Sequence, residues 1–186
     1  MDFFSDVLIV GSGISGLSFA LKVARFCTVT MITKKAKADT ATNLAQGGIA
    51  AVLSREDSVD SHVADTLRSG DGLCREDIVR LVVEDSDERV RELIEFGVNF
   101  QRGKAGEEFD LGMEGGHSVR RVAHAFDLTG REIESALLAR VAENPSIEVL
   151  EDHLAIDLIM ESRLGGSKGV VTKDRCCGAY VLNRKT

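Results

Sequence analysis

Val7-Leu8-Ile9-Val10-Gly11-Ser12-Gly13-Ile14-Ser15-Gly16-Leu17 is the stretch whose reading decides the fold. A short continuous apolar run ending in glycine suits the centre of a parallel sheet, so Asp6 to Val10 reads as a fully buried strand. Beyond the glycines, Leu17, Ala20, Leu21 and Ala24 recur at helical spacing from Ile14 to about Phe26, and Val29 to Ile32 is a second apolar strand. Strand, helix and strand thus follow in order, with Gly11 to Gly16 on the first turn. Backbone N–H groups at a helix N-terminus attract an anion if no Cβ stands in the way, which glycine ensures. In that reading Gly11 makes the tight turn, Gly13 lets a pyrophosphate approach, and Gly16 lets helix and strand pack closely. A purely structural glycine turn is the rival reading.

The acid that usually contacts a ribose 2′-hydroxyl lies about 20 positions further on, at the end of the second strand. Here that strand runs into Thr33-Lys34-Lys35, and the nearest acid, Asp39, is beyond it. Lys34 therefore contacts ribose or phosphate, or it is a solvated loop lysine; spacing leaves both open.

Outward from this core, Lys34 to Asn43 reads as a loop and Leu44-Ala45-Gln46-Gly47-Gly48-Ile49-Ala50-Ala51 as a small, uncharged stretch. Asp57 to Ser69 and Arg75 to Phe96 read as helices, the second with Ile78, Val82, Val90, Leu93 and Ile94 on apolar stripes and Gly97 as its stop. Val98 to Glu108 is short, polar and unpatterned. Thr129-Gly130-Arg131-Glu132 has the capping-box pattern, opening a helix with Ile133, Leu137, Leu138 and Val141 that closes near Pro145. Ile147–Leu150, Ala155–Met160, Val170–Thr172 and Ala179–Leu182 read as strands of a small antiparallel meander, which stops at the turn-like Asn183-Arg184-Lys185-Thr186 with an unpaired edge.

Composition narrows the function classes. A chain of 186 residues with 44% hydrophobic content is long enough for one compact domain, and its net charge of -7 gives no general attraction for nucleic acid or anionic lipid. Apolar runs such as Val7–Val10 and Ala50–Leu53 fall far short of the ~20 residues that span a bilayer. The N-terminus lacks the basic start and cleavage site of a secretory signal, so the expected compartment is the cytosol. Cys27, Cys74, Cys176 and Cys177 have no zinc-ligand spacing, no metal is expected, and free thiols accord with a reducing compartment. On a strand, Cys176 and Cys177 point to opposite faces, so one is expected packed and one exposed.

Three stretches carry a resemblance. VLIVGSGISGLSFAL, TNLAQGGIAAVLSREDSVDSHVADTLRSGDGLC and MEGGHSVRRVAHAFDLTGREIESAL, in this order between about Asp6 and Asn183, resemble the L-aspartate oxidases, of the succinate dehydrogenase/fumarate reductase flavoprotein family. The resemblance implies a Rossmann-like FAD-binding α/β fold, a parallel sheet with helices and a small antiparallel β-meander, truncated relative to the family. It divides the chain into a dinucleotide-binding βαβ and flavin loop (1–53), a helical insertion (54–110), and a substrate-side loop, helix and meander (111–186). The capping and C-terminal helical domains, with the catalytic arginine and the carboxylate-binding histidines, would lie beyond Thr186, so the chain alone is expected to be inactive.

By the same resemblance, Gly11, Ser12, Gly13, Ile14, Ser15 and Gly16, then Lys34, then Ala41, Thr42, Asn43, Leu44, Ala45, Gln46, Gly47 and Gly48 bind FAD, and the lysine after the second strand is a family feature. Ala45, Gly47 and Gly48 are small enough for backbone to lie along a flat ring, and Gln46 offers an amide; a tight loop packed on the core is the alternative. Membrane-bound relatives attach FAD through a histidine four residues before A-Q-G-G. That position is Ala41 here, so the cofactor is expected to be non-covalent.

Glu114 in Met113-Glu114-Gly115-Gly116-His117-Ser118 matches the glutamate that orients the substrate in this family. A substrate with an ammonium beside two carboxylates needs a carboxylate near the cation, and sequence is equally compatible with a surface glutamate before a glycine turn. The implied reaction is FAD-dependent oxidation of L-aspartate to iminoaspartate, with oxygen or fumarate as acceptor and quinolinate synthase as a partner in NAD biosynthesis. His117 reads as structural, with pairing to Glu114 or a place beside the substrate as alternatives; His124, His62 and His153 read as scaffold or surface residues, and Arg120, Arg121 and Arg131 as salt-bridging or solvated. A succinate/fumarate oxidoreductase flavoprotein and a non-catalytic nucleotide-binding module are the rival functions.

Overall fold

The computed structural model describes residues 2–104, 108–125, 128–164 and 174–185. They divide into two compact units, residues 1–40 with 138–186 and residues 41–137.

In the first unit, β1 (Val7–Val10), β2 (Val29–Thr33) and β6 (Ile147–Glu151) form a parallel sheet in the order β1-β2-β6. β2 lies between the others and all of its residues are buried, as its unbroken apolar and β-branched run dictates. β1 differs from expectation. It lies at an edge of this sheet among the described residues, so Ile9 is buried while Val10 is 61% exposed. Helix α1 (Ile14–Val23) follows the glycine turn and buries Leu17, Ala20 and Leu21, the stripe its sequence spacing marks. Ile147–Leu150 is likewise a strand, but as part of β6 it joins the parallel sheet instead of the meander, because its backbone pairs with β2. β7 (His153–Met160) and β8 (Cys176–Asn183) make the antiparallel pairing, as a two-stranded ribbon. Val170–Thr172 lies outside the described residues. Both Cys176 and Cys177 are exposed, contrary to the expectation that one is packed, because β8 lies in a two-stranded ribbon and none of its residues is buried.

The second unit starts with α2 (Ala41–Leu44), a short helix where the sequence reads as loop. Short strands β3 (Ile49–Ala50), β4 (Leu111–Gly112) and β5 (Val122–Ala123) pair antiparallel in the order β3-β5-β4. Helix α3 (Val59–Ser69) is capped by the Ser58 hydroxyl, which accepts from Ser61 N–H at 3.2 Å. Helix α4 (Glu76–Glu95) ends where Gly97 adopts φ +104 and Val98 N–H returns to Leu93 O, the glycine stop read from sequence. Its buried face is Val83, Val90 and Leu93; Ile78 and Val82, expected on apolar stripes, are exposed, Val82 by 63%. Helix α5 is Thr129–Glu143. Thr129 does not cap it: Glu132 N–H bonds Leu128 O, and the Glu132 carboxylate accepts from Asn99 instead.

Candidate functional site

The first unit builds a cradle of bare backbone. Gly11 has φ +109, open to glycine at little cost, and its N–H is fixed to Ile32 O at 2.9 Å. A Cβ on Gly16 would drive into the Gly11 carbonyl and touch the Ile9 side chain at 3.3 Å, so only glycine lets α1 start this close to β1. Gly13 is the N-cap of α1, with no side-chain cap and no acid in the first turn, which leaves the positive end of the helix to an outside anion. Ser12 is buried and donates its hydroxyl to Lys37 O at 2.9 Å, 3.2 Å from the Thr33 hydroxyl, so it bolts the turn to the end of β2. The Lys34 side chain is exposed, and its carbonyl accepts from Arg184 Nη1 at 2.7 Å.

The second unit places the other candidates. Residues 44–48 are exposed. Their course is set by the start of α5. Gly130 N–H donates to Ala45 O at 3.1 Å, and a Cβ on Gly130 would lie 2.8 Å from that same oxygen. The Thr129 hydroxyl accepts from Ala125 N–H at 3.0 Å and donates to Gly47 O. Gly48 presses on β5, where a Cβ would meet the Ala123 carbonyl and lie 2.7 Å from Val122 Cγ1. Gly47 has φ +70, and a Cβ there would sit 2.7 Å from Glu114 Oε1. Glu114 and the glycine loop, 67 residues apart in sequence (114 − 47), therefore meet. Gln46, Gly47, Gly112, Met113, Glu114, Val122 and His124 line one cavity of about 470 Å³. His124, read as scaffold or surface from sequence, is on that wall; of the expected loop residues Gln46 and Gly47 line it, and Ala41 to Ala45 and Gly48 do not.

Glu114 opens a β-turn closed by His117 N–H to Glu114 O at 3.2 Å, with Gly116 at φ +91. Polar groups fasten this turn, and the chain from Ser118 to Arg121, to α3. Arg121 is 0% exposed; its Nε and Nη2 lie 2.9 Å from the Asp57 carboxylate, its Nη1 3.0 Å from Asp65 Oδ2, and its Nη2 donates to Ser61 Oγ at 3.1 Å. Asp65, also buried, accepts from both the backbone N–H and the hydroxyl of Ser118 at 2.7 Å. Those bonds, the backbone one foremost, hold its carboxyl well below the usual range despite burial, with help from Arg68 and Arg121. Burial, then the Arg121 charge, pushes the His62 imidazole below its ordinary value, and its ring meets that of His117 edge-on at 5.7 Å. Among the described residues no group of three His, Cys, Asp or Glu could hold a metal, and no helix is long and apolar enough to cross a membrane.

Sequence reasoning misses Thr129, Gly130 and the Arg121 network. The first pair is hidden inside a capping-box pattern, and a lone arginine beside another arginine carries no sign that it is buried.

Comparison with known proteins places these features in context. The FAD binding domain family matches residues 6–186. L-aspartate oxidase of Pseudomonas aeruginosa is 46% identical over 97% of this chain and 34% of its own length. L-aspartate oxidase 2-b, chloroplastic, of Nicotiana tabacum is 51% identical over 84% of the chain and 24% of its own length. Among solved structures, a mutant E. coli quinol fumarate reductase FrdA aligns with TM-score 0.83 and 26% identity over 97% of this chain and 29% of that one. The chain thus spans about a third or less of the length of these relatives.

Proposed function

This chain belongs to the FAD binding domain family, and from that premise we propose that the protein containing it oxidises L-aspartate to iminoaspartate, with oxygen or fumarate taking up the electrons. FAD is the cofactor that the family match and the L-aspartate oxidase relatives indicate. The observation that carries the substrate assignment is the Glu114 carboxylate against the bare Cα of Gly47, on the wall of the 470 Å³ cavity.

When bound, FAD supplies a two-electron acceptor for the hydride of the substrate Cα. The chain's own residues bind and orient. Gly11, Ser12, Gly13, Ile14, Ser15 and Gly16 present main chain and the α1 N-terminus to the diphosphate, and Lys34 lies at the end of β2, where the ribose or phosphate contact is expected. Ala41 to Gly48 contribute contacts to the cofactor, with Gln46 and Gly47, which line the cavity, along the flavin. Glu114 pairs with the substrate ammonium, which gives up one proton to solvent as the C=N bond forms and the Cα hydride leaves. A dicarboxylate without an ammonium leaves Glu114 unpaired, an unfavourable arrangement that selects aspartate over succinate. The imine product suits consumption by a quinolinate synthase.

In the natural full-length protein loaded with FAD, L-aspartate added without oxygen bleaches the flavin absorbance, and succinate does not. Bleaching by succinate but not aspartate would instead assign the chain to the succinate/fumarate flavoproteins, which the FrdA likeness keeps in view. With Ala41 in place of an attachment residue, acid precipitation leaves the yellow colour in the supernatant; a yellow pellet refutes non-covalent binding.

A further inference from the structure

We propose that the polar stripe of α3 positions Glu114, with Asp65 and Arg121 as positioning residues that set discrimination between aspartate and dicarboxylates lacking the ammonium. The inference rests on the reading of Glu114 given above. Met113, Glu114, Gly115, Gly116 and Ser118 are all exposed, so apart from the ring contact of half-buried His117 with His62 no packing fixes this turn, and adjacent glycines make it loose on their own. Yet the Glu114 carboxylate occupies the space that a Cβ on Gly47 would need, 2.7 Å from where that atom would sit, and a binding group must be held to roughly 0.5 Å to act.

What holds the turn is α3. Ser61, Asp65, Arg68 and Ser69 recur at helical spacing along one face. Arg68 Nη2 donates to Gly116 O at 3.3 Å, and the bare Cα of Gly116 sits over the Ser69 hydroxyl. Asp65 takes both Ser118 bonds, and Arg121 ties Asp65 to Asp57 and Ser61. Apart from the edge-on contact between the His117 ring and His62 of α3 at 5.7 Å, these fastenings are hydrogen bonds and ion pairs. Buried ion pairs add little net stability over apolar residues of the same volume, but their geometry is directional, and here it fixes a turn that carries an acid. Gly47 completes the arrangement by leaving room for that acid.

The test uses the natural full-length protein with FAD bound, measuring KM and kcat for L-aspartate and the inhibition constant of succinate. Asp65→Asn is expected to raise KM for aspartate roughly tenfold and Ser118→Ala roughly threefold, with kcat and the succinate constant within about twofold and the flavin spectrum unchanged. Either change combined with Glu114→Gln adds nothing further to KM, since both act through the same carboxylate. Parallel weakening of aspartate and succinate, or unchanged KM in both variants, overturns the positioning role. If Glu114→Gln itself leaves the discrimination intact, the substrate reading fails and this inference with it; if Glu114→Gln removes it while the other variants do not, the inference alone fails. Should Asp65→Asn not fold, Ser118→Ala, at an exposed side chain, decides the matter.

Discussion

The glycine turn before α1 and the glycine turn after Glu114 solve one problem by opposite means. Each must hold nearly bare backbone still. The first does so by steric fit: Gly16 closes on Gly11, Gly11 N–H is fixed to β2, and the helix behind buries Leu17, Ala20 and Leu21. The second has one ring contact, His117 on His62, and is otherwise held by Asp65, Arg121 and Arg68. Steric fit tolerates no added atom, whereas a charge network tolerates no missing partner.

That contrast is broken most severely at Arg121. Arg121→Met leaves the Asp57 carboxylate buried without its cation and Asp65 with Arg68 alone, and is expected to cost about 3–5 kcal/mol in urea unfolding. A loss under about 1 kcal/mol would mean that water reaches the network and that the comparison is wrong. Gly16→Ala attacks the other region, where the added methyl has backbone against it instead of a yielding side chain. It should cost about 1–3 kcal/mol and weaken FAD retention on dilution, with no change in the preference of any retained activity for aspartate.

The same contrast explains what can be read from sequence. β1, α1 and β2 announce themselves because burial in a parallel sheet demands an apolar run and close packing demands glycine at fixed offsets. Even there, Val10 shows the limit, since an apolar run does not say which strand is central. Ile147–Glu151 is legible as a strand but not as a partner of β2, because pairing direction is set by distant residues. On α4 the helical period is legible and the phase is not: Val83 points inward where the pattern favours Val82. Glu114 and Gly47 each stand out in the sequence, but their contact depends on α3, whose inward face is polar and so looks like a solvated surface.

A subtler probe joins the two kinds of constraint at one residue. Gly47→Ala places a methyl at φ +70 and 2.7 Å from Glu114 Oε1. The left-handed backbone costs about 1 kcal/mol for alanine, and the displaced carboxylate should raise KM for aspartate about fivefold, more than it raises the succinate inhibition constant. Equal shifts in both would show that the loop, and not the glutamate, is what the methyl moves.

The smallest effect is on pH dependence, and it tests whether the α3 network is truly dry. His62 is buried, next to Arg121 and His117, and it takes a proton less readily folded than unfolded. The unfolded chain therefore binds more protons below about pH 6.5, and the contribution of His62 to stability is present above that value and lost as pH falls toward its lowered folded pKa. Asp65 acts in a lower window, stabilising above about pH 3.9 and failing only in stronger acid, because its folded pKa is depressed as well. The melting temperature should thus drop between pH 7.5 and about 5.5, and His62→Phe, which removes the titrating ring while filling its place, should flatten that drop. An equal drop in the variant would assign the proton uptake elsewhere and show that the polar region is hydrated, leaving the apolar sheet of the first unit as the drier of the two.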